Sequence, residues 1–307
     1  MSSEWKSESW IAASLDRQHR GRHTLLGIEK WIFRERSDYQ EVAIAAVPDL
    51  GKALFLDAVI ELAEADEFIY HESLALPPLL HHPAPKRVLI QGGGDGLALR
   101  EVLRDPRVEE AVVVELDGLV VDACRAHLPD LHRGSFDDPR ATVLVQDVFP
   151  YLESPPGSFD IILVDLLDGY DDVAVRLYEA VLALSRGALS PGGIIAGYGD
   201  LAAPRLAVRH LYRGLERRFA HVAMHRASIQ SFGGEYGFVM AADDVSFRDV
   251  PGEVIQQRAS ALDGEIHALV PTAFPSCFGT PRYLIDALHR DPPASPALGD
   301  EFSWIAD

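Results

Sequence analysis

Cysteine is nearly absent: the chain holds only Cys124 and Cys277, far apart and outside any Cys-x-x-Cys spacing. That argues against a disulfide framework or a zinc ribbon, and both thiols read as small apolar core residues. No metal site is expected. Long apolar runs are missing too, since nothing approaches the roughly 18 residues of a membrane span. The opening stretch from Met1 to Trp10 is polar and mixed in charge, unlike a signal segment. A cytoplasmic protein with no membrane partner is the expectation. Basic residues are scarce, 28 against 47 acidic ones, for a formal net charge of −19. Such a field repels nucleic acid and attracts small cations, although solubility alone also favours an acidic surface. Internal repeats and low-complexity tracts are lacking.

What is present is enough apolar material for a large core: 307 residues, 48% of them hydrophobic. No staple is needed to fold such a chain. Between Tyr39 and Ile60 the runs Val42-Ala43-Ile44 and Ala53-Leu54-Phe55-Leu56 flank a turn signal at Asp49-Leu50-Gly51. That pattern predicts a small antiparallel β unit. Asp66 to Leu80 reads as a helix ending before Pro83 and Pro85. After Arg87, short continuous apolar runs alternate with helical stretches: Val88-Leu89-Ile90, Ala111 to Val114, Thr142 to Val145, Ile161 to Val164 and Gly193 to Ala196. Strands apolar on both faces and separated by helices predict a doubly wound, Rossmann-like α/β sheet. Val222 to Met224 and Gly237 to Ala241 would close it as a hairpin. The expected division is residues 1–80 as a β-rich domain with a linking helix, 81–290 as the Rossmann-like domain, and 291–307 as a Pro-rich tail.

Ligands of such sheets bind beyond the carboxyl ends of the strands. The first strand runs into Gly92-Gly93-Gly94-Asp95-Gly96. The loop fails the dinucleotide fingerprint, because Leu97 or Leu99 falls at the third glycine position. A carboxylate at Asp95 would repel a pyrophosphate and welcome a positively charged ligand without phosphates, such as a sulfonium compound of the S-adenosylmethionine type. Glu115 ends the second strand about 20 residues on, where a carboxylate can accept from both ribose hydroxyls. Gln146-Asp147 ends the third, placed to meet an adenine amino group. The fourth ends in the acidic run Asp165-Leu166-Leu167-Asp168-Gly169-Tyr170-Asp171-Asp172.

Taken together, Asp66-Glu67-Phe68-Ile69-Tyr70-His71-Glu72, the run from Val88 through Gly96, and Leu99-Arg100-Glu101-Val102-Leu103 resemble the signature of the polyamine aminopropyltransferases, the spermidine synthase family. Similarity continues through Val114-Glu115-Leu116-Asp117, Phe136 to Arg140 and Phe159 to Asp165, and covers about Tyr39 to Ala241. His267 is a further match towards the C-terminus. The resemblance implies a class I methyltransferase-type fold. It also implies transfer of an aminopropyl group from decarboxylated S-adenosylmethionine to putrescine or another amine, with release of 5′-methylthioadenosine. That donor is a co-substrate, and no tightly bound cofactor is implied. By the same resemblance Asp165 would be the catalytic base. Gln40, His71, Asp95, Glu115 and Asp147 would hold the donor, and Glu61, Tyr70 and Asp168 would line the acceptor pocket. A homodimer or homotetramer is implied, with Val42, Ile44, Leu54 and Leu56 of the β unit packing on a second subunit.

Departures from the family pattern cluster on the acceptor side. Leu166-Leu167-Asp168-Gly169 replaces Ser-Ser-Asp-Pro, Glu61 and Tyr198 each replace a glutamine, and Ile229-Gln230-Ser231-Phe232 replaces Pro-Thr-Tyr-Pro. The added acids Glu61, Asp171 and Asp172 would suit an acceptor bulkier or more charged than putrescine, or be solvated loop residues. Two other readings stay open at this point: an S-adenosylmethionine-dependent N-methyltransferase and a polyamine-binding homologue without activity.

Overall fold

The computed structural model describes residues 10–13, 24–166, 172–201, 208–269 and 278–290. A two-stranded ribbon, β1 (Trp10–Ala13) and β2 (Thr24–Gly27), leads into a four-stranded antiparallel sheet. Its strands are β3 (Lys30–Arg36), β4 (Glu41–Val47), β5 (Gly51–Leu56) and β6 (Val59–Ala63), in sequential order. The unit is therefore longer than the sequence pattern predicts, because β3 alternates poorly and β6 is interrupted by Glu61.

The helix α1 (Glu67–His81) crosses to a seven-stranded sheet. That sheet comprises β7 (Arg87–Gly92), β8 (Glu110–Glu115), β9 (Ala141–Val145), β10 (Phe159–Asp165), β11 (Leu189–Asp200), β12 (His221–Ile229) and β13 (Gly234–Ala242). Their order is β12-β13-β11-β10-β7-β8-β9. Strands β11, β10, β7, β8 and β9 are parallel, and β12 and β13 form the expected antiparallel hairpin against β11. The chain order reverses between β7 and β10, so the crevice above that pair is where a doubly wound sheet binds its ligand.

Period-two alternation sends each parallel strand's apolar side chains to two cores. Ile90, Val113, Ile161 and Leu163 face Leu76 and Leu79 of α1, with Leu99 and Val102 of α2 (Leu97–Leu103). Leu89, Val112, Ile162 and Val164 face the other side, where α5 (Val148–Glu153), α6 (Asp172–Ala188), α7 (Val208–Glu216) and α9 (Arg282–His289) pack. The remaining helices are α3 (Gly118–His127), α4 (Pro129–His132) and α8 (Gly252–Ala259). Among the described residues no helix is long and apolar enough to cross a membrane.

The N-terminal sheet is buried on both faces by its own chain. Ala43, Ala45 and Phe55 pack on Tyr70, Leu74 and Phe238. Val42, Ile44 and Leu54 pack on Leu97, Val120, Cys124 and Leu128, with Leu56 against the same cluster. Val42, Ile44 and Leu54 are therefore covered within their own chain, and Leu56 is half-buried against the same cluster, so packing of the β unit on a second subunit falls to its other residues. Cys124 is fully buried there, whereas Cys277 and the segment after Arg290 lie outside the described residues.

Candidate active site

Strands β7, β8 and β10 end side by side, and the glycine loop after β7 brings their terminal carboxylates together. Gly92 has φ +80°, and a Cβ there would lie 2.0 Å from the Asp165 carbonyl oxygen. A backbone oxygen cannot swing aside, so only glycine lets the loop pass this close to the end of β10. At Gly94 a Cβ would meet the Glu115 side chain at 2.7 Å. The freed Gly94 N–H instead donates to Glu115 Oε2 at 3.1 Å. Glu115 Oε1 accepts from the Asp117 N–H at 2.9 Å. Burial raises the Glu115 pKa, the two backbone donors pull it down, and the charges of Asp117 and Asp95 raise it further.

Gln40 reaches this group from the N-terminal sheet. Its Nε2 donates to Asp117 Oδ2 at 3.0 Å, and Ser37 Oγ donates to the same oxygen at 2.7 Å. The other oxygen of Asp117 accepts from the Leu119 N–H, capping α3. Nothing in the local sequence singles out Asp117 as the residue that joins Gln40 to Glu115. Asp147, at the end of β9, is exposed and caps α5 by accepting from the Phe149 N–H at 2.9 Å.

Asp165 lies beside Tyr70, whose hydroxyl donates to Asp165 Oδ1. Burial and the neighbouring Asp95 charge push the Asp165 pKa up to about 7, while Tyr70 and His71 hold it down. A carboxylate titrating near neutrality is matched to proton transfer at physiological pH. Burial and the Asp165 charge raise the Tyr70 pKa well above its ordinary value, so the phenol remains a donor. The Tyr70 ring stands edge-on to Tyr198, with centroids 4.9 Å apart, and Tyr198 donates to the Leu166 carbonyl at 2.8 Å. Phe232 packs on Tyr70 at 5.9 Å. The segment bearing Phe232 is pinned because Ser231 donates through N and Oγ to the two oxygens of buried Asp66, at 2.9 and 2.7 Å.

His71 is the third group of this cluster. Its Nε2 lies 3.6 Å from Asp95 Oδ2, and its Nδ1 lies 3.0 Å from Glu67 Oε2, one helical turn earlier on α1. Glu67 is in turn gripped by both ends of the Arg100 guanidinium, at 2.8 and 2.9 Å. Burial opposes ionisation of Glu67, yet His71 and Arg100 bring its pKa down to about 2. Burial likewise opposes charge on His71, but Asp95 and Glu67 lift its pKa to about 10. In the sequence Glu67 and Arg100 stand out only as members of the family signature, with no role of their own. The spacing Glu67 to His71, four residues on one helix face, is the available signal.

Of the expected acceptor residues, Tyr70 joins the cluster and Glu61 sits half-buried on β6. Asp168 lies outside the described residues, with Tyr170 and Asp171, and the Asp172 side chain is likewise not described.

Residues 67–224 match the family model described as the spermine/spermidine synthase domain, and residues 10–64 match the spermidine synthase tetramerisation domain. The polyamine aminopropyltransferase 1 of Hyperthermus butylicus is 39% identical over 241 residues, covering 76% of this chain and 82% of that protein. The polyamine aminopropyltransferase of Aeropyrum pernix is 40% identical over 227 residues, covering 73% and 72%. Among solved structures, the spermidine synthase from Thermotoga maritima superposes with a TM-score of 0.79 at 27% identity, covering 94% of this chain and 96% of that one. A spermidine synthase in complex with the transition state analogue AdoDATO superposes with a TM-score of 0.82, also at 27% identity, covering 94% and 97%.

Proposed function

The chain belongs to the spermine/spermidine synthase family, and we propose that it transfers the aminopropyl group of decarboxylated S-adenosylmethionine to an amine, releasing 5′-methylthioadenosine. The observation that carries this reading is a carboxylate, Asp95, inside the glycine loop and beside the near-neutral Asp165. In the proposed complex Asp95 and His71 receive the donor's ammonium, Glu115 accepts from the ribose hydroxyls, and Asp147 faces the adenine. Gln40 reaches the donor from the N-terminal sheet. Tyr70, Glu61 and Asp168 line the acceptor side.

In the reaction the acceptor nitrogen attacks the carbon attached to the sulfonium. A C–N bond forms, the C–S bond breaks, and the sulfur leaves as a neutral thioether with the bonding electrons. The acceptor is an alkylammonium with a free pKa near 10.4, so exposing its lone pair at pH 7 costs about 4 to 5 kcal/mol. Asp165 takes that proton. Tyr70 orients the carboxylate by donating to one oxygen and leaving the other towards the amine. Incubating the purified protein with decarboxylated S-adenosylmethionine and a panel of diamines and polyamines, with products identified by mass spectrometry, tests the reading. Failure to form any aminopropylated amine would reject it.

Donor choice follows from Asp95. Decarboxylated S-adenosylmethionine ends in a bare ammonium, whereas S-adenosylmethionine brings a carboxylate against Asp95 in a partly desolvated pocket. Calorimetry is expected to show tighter binding of the decarboxylated donor, with the gap narrowed in Asp95→Ile. The reverse order in the wild type would overturn the assignment of Asp95.

We also propose a homotetramer, on the strength of the tetramerisation domain matched at residues 10–64. Light scattering at micromolar concentration should give four times the 33.7 kDa chain mass, and a monomeric or dimeric mass would refute it.

A further inference from the structure

His71 is enclosed by hydrogen-bond acceptors. Its Nδ1 faces the Glu67 carbonyl oxygen at 2.7 Å and Glu67 Oε2 at 3.0 Å, so that nitrogen must carry a proton. Its Nε2 faces Asp95 Oδ2 at the ion-pair distance of 3.6 Å, and the ring is 1% exposed. An imidazole in this setting satisfies every neighbour only as the cation, with a second proton on Nε2. The remaining charged neighbours fit that state: Asp165 lies on β10, Glu115 beyond Asp95 on β8, and Arg100 of α2 is spent on the far side of Glu67. Tyr70, from α1 itself, presents its ring edge-on at 5.0 Å.

The same geometry has a second use. Because Glu67 fixes the proton on Nδ1, a neutral His71 has its lone pair on Nε2, aimed towards Asp95. Nε2 and Asp95 Oδ2 are then two acceptors within reach of one ammonium. In the donor-free protein the Nε2 proton occupies the place between them.

We propose that binding of the aminopropyl donor expels a proton from His71: the donor's ammonium replaces the Nε2 proton between His71 and Asp95, and that proton leaves to solvent. Glu67, clamped by Arg100, is the positioning residue that makes the exchange possible by keeping Nδ1 protonated in both states. Charge balances, since one cation leaves the pair as another enters. The inference rests on the aminopropyl-donor reading.

The test is calorimetric titration of the whole protein with decarboxylated S-adenosylmethionine, without acceptor, in two buffers of different ionisation enthalpy. At about pH 8.5 Asp165 has already lost its proton and contributes nothing, while His71, titrating near 10, is still charged. About one proton should be released per donor bound, and donor affinity should rise roughly tenfold per pH unit between about pH 7.5 and 8.5. 5′-Methylthioadenosine, which lacks the ammonium, should bind with no such release. His71→Gln keeps a polar side chain but holds no proton, so release and pH dependence should both vanish. Glu67→Gln should release less than the wild type under the same conditions, because one of the two carboxylates that hold the charge on His71 is gone while Asp95 remains. Zero release from a wild-type protein that binds the donor, or undiminished release from His71→Gln, would overturn the proposal. A wild-type protein that binds 5′-methylthioadenosine but not the donor would overturn the aminopropyl reading itself.

Discussion

Asp165→Asn is expected to lower turnover by about a hundredfold or more while leaving donor affinity nearly unchanged. Asparagine keeps the shape of the side chain and its place at the end of β10 but cannot take a proton from the attacking amine. The proposed donor contacts belong to Asp95, His71, Glu115 and Asp147, so calorimetry should report little loss of binding. The pH profile gives a second readout. In the donor-free protein burial and Asp95 hold the Asp165 pKa at about 7. Below its pKa a carboxyl group is protonated and cannot act as a base, so activity is lost as pH falls. The donor's ammonium takes the place of the His71 charge near Asp165, so the sulfonium alone adds to the field there, and the acid limb of kcat, measured at saturating substrates, falls only slightly below pH 7. Asp165→Asn should flatten that limb. A variant that turns over within a few-fold of wild type, with the limb intact, would leave Asp165 as a shaping residue only.

Arg100→Met should cost far more stability than Asp165→Asn. The guanidinium is 8% exposed and holds Glu67 bidentately, Glu101 Oε1 at 2.9 Å and the Leu131 carbonyl at 2.7 Å. Its removal leaves a buried carboxylate and a buried carbonyl without their donor. Breaking a buried pair from one side costs about 3–5 kcal/mol. For a chain of this size that amounts to a drop in Tm of roughly 5–8 °C. Glu67→Gln combined with Arg100→Met should lose less than the two single changes added together, because the pair is counted once. Thermal scans of the three variants check this, and a single Arg100→Met protein melting within a degree of wild type would contradict it.

The damage should also reach the site. Glu67 without Arg100 is a carboxylate resisted by burial and held by His71 alone, so the orientation of the imidazole towards Asp95 loses its support. Stability and the proposed donor recognition are thus coupled through α1 and α2, the two helices that pack together beneath the glycine loop.

Much of the architecture was legible in the sequence. The five apolar runs after Arg87 became the parallel strands β7 to β11, because a strand buried on both faces has no polar alternation to disguise it. The terminal hairpin and α1 were equally plain. Strand ends were legible too, since Glu115 and Asp165 are the first charges after buried runs. The front sheet is longer than its sequence pattern predicts. Lys30–Arg36 carries four exposed charges, and its pairing to β4 depends on a bulge between Trp31 and Phe33 that no local pattern announces.

By itself, then, the sequence determined the strand and helix alphabet, the glycine loop, and which carboxylates stand at strand ends. These are local properties, set by the period of apolar residues and by the steric freedom of glycine. Tertiary structure alone decided which of those groups meet. Tyr70 and Asp165 are 95 residues apart, and Arg100 reaches Glu67 across 33. It also decided that Val42 and Ile44 are covered within the chain, and that Asp165 titrates near 7. Contact across long separations and the desolvation of a carboxyl group both depend on elements brought in from elsewhere in the chain. No window of neighbouring residues contains that information.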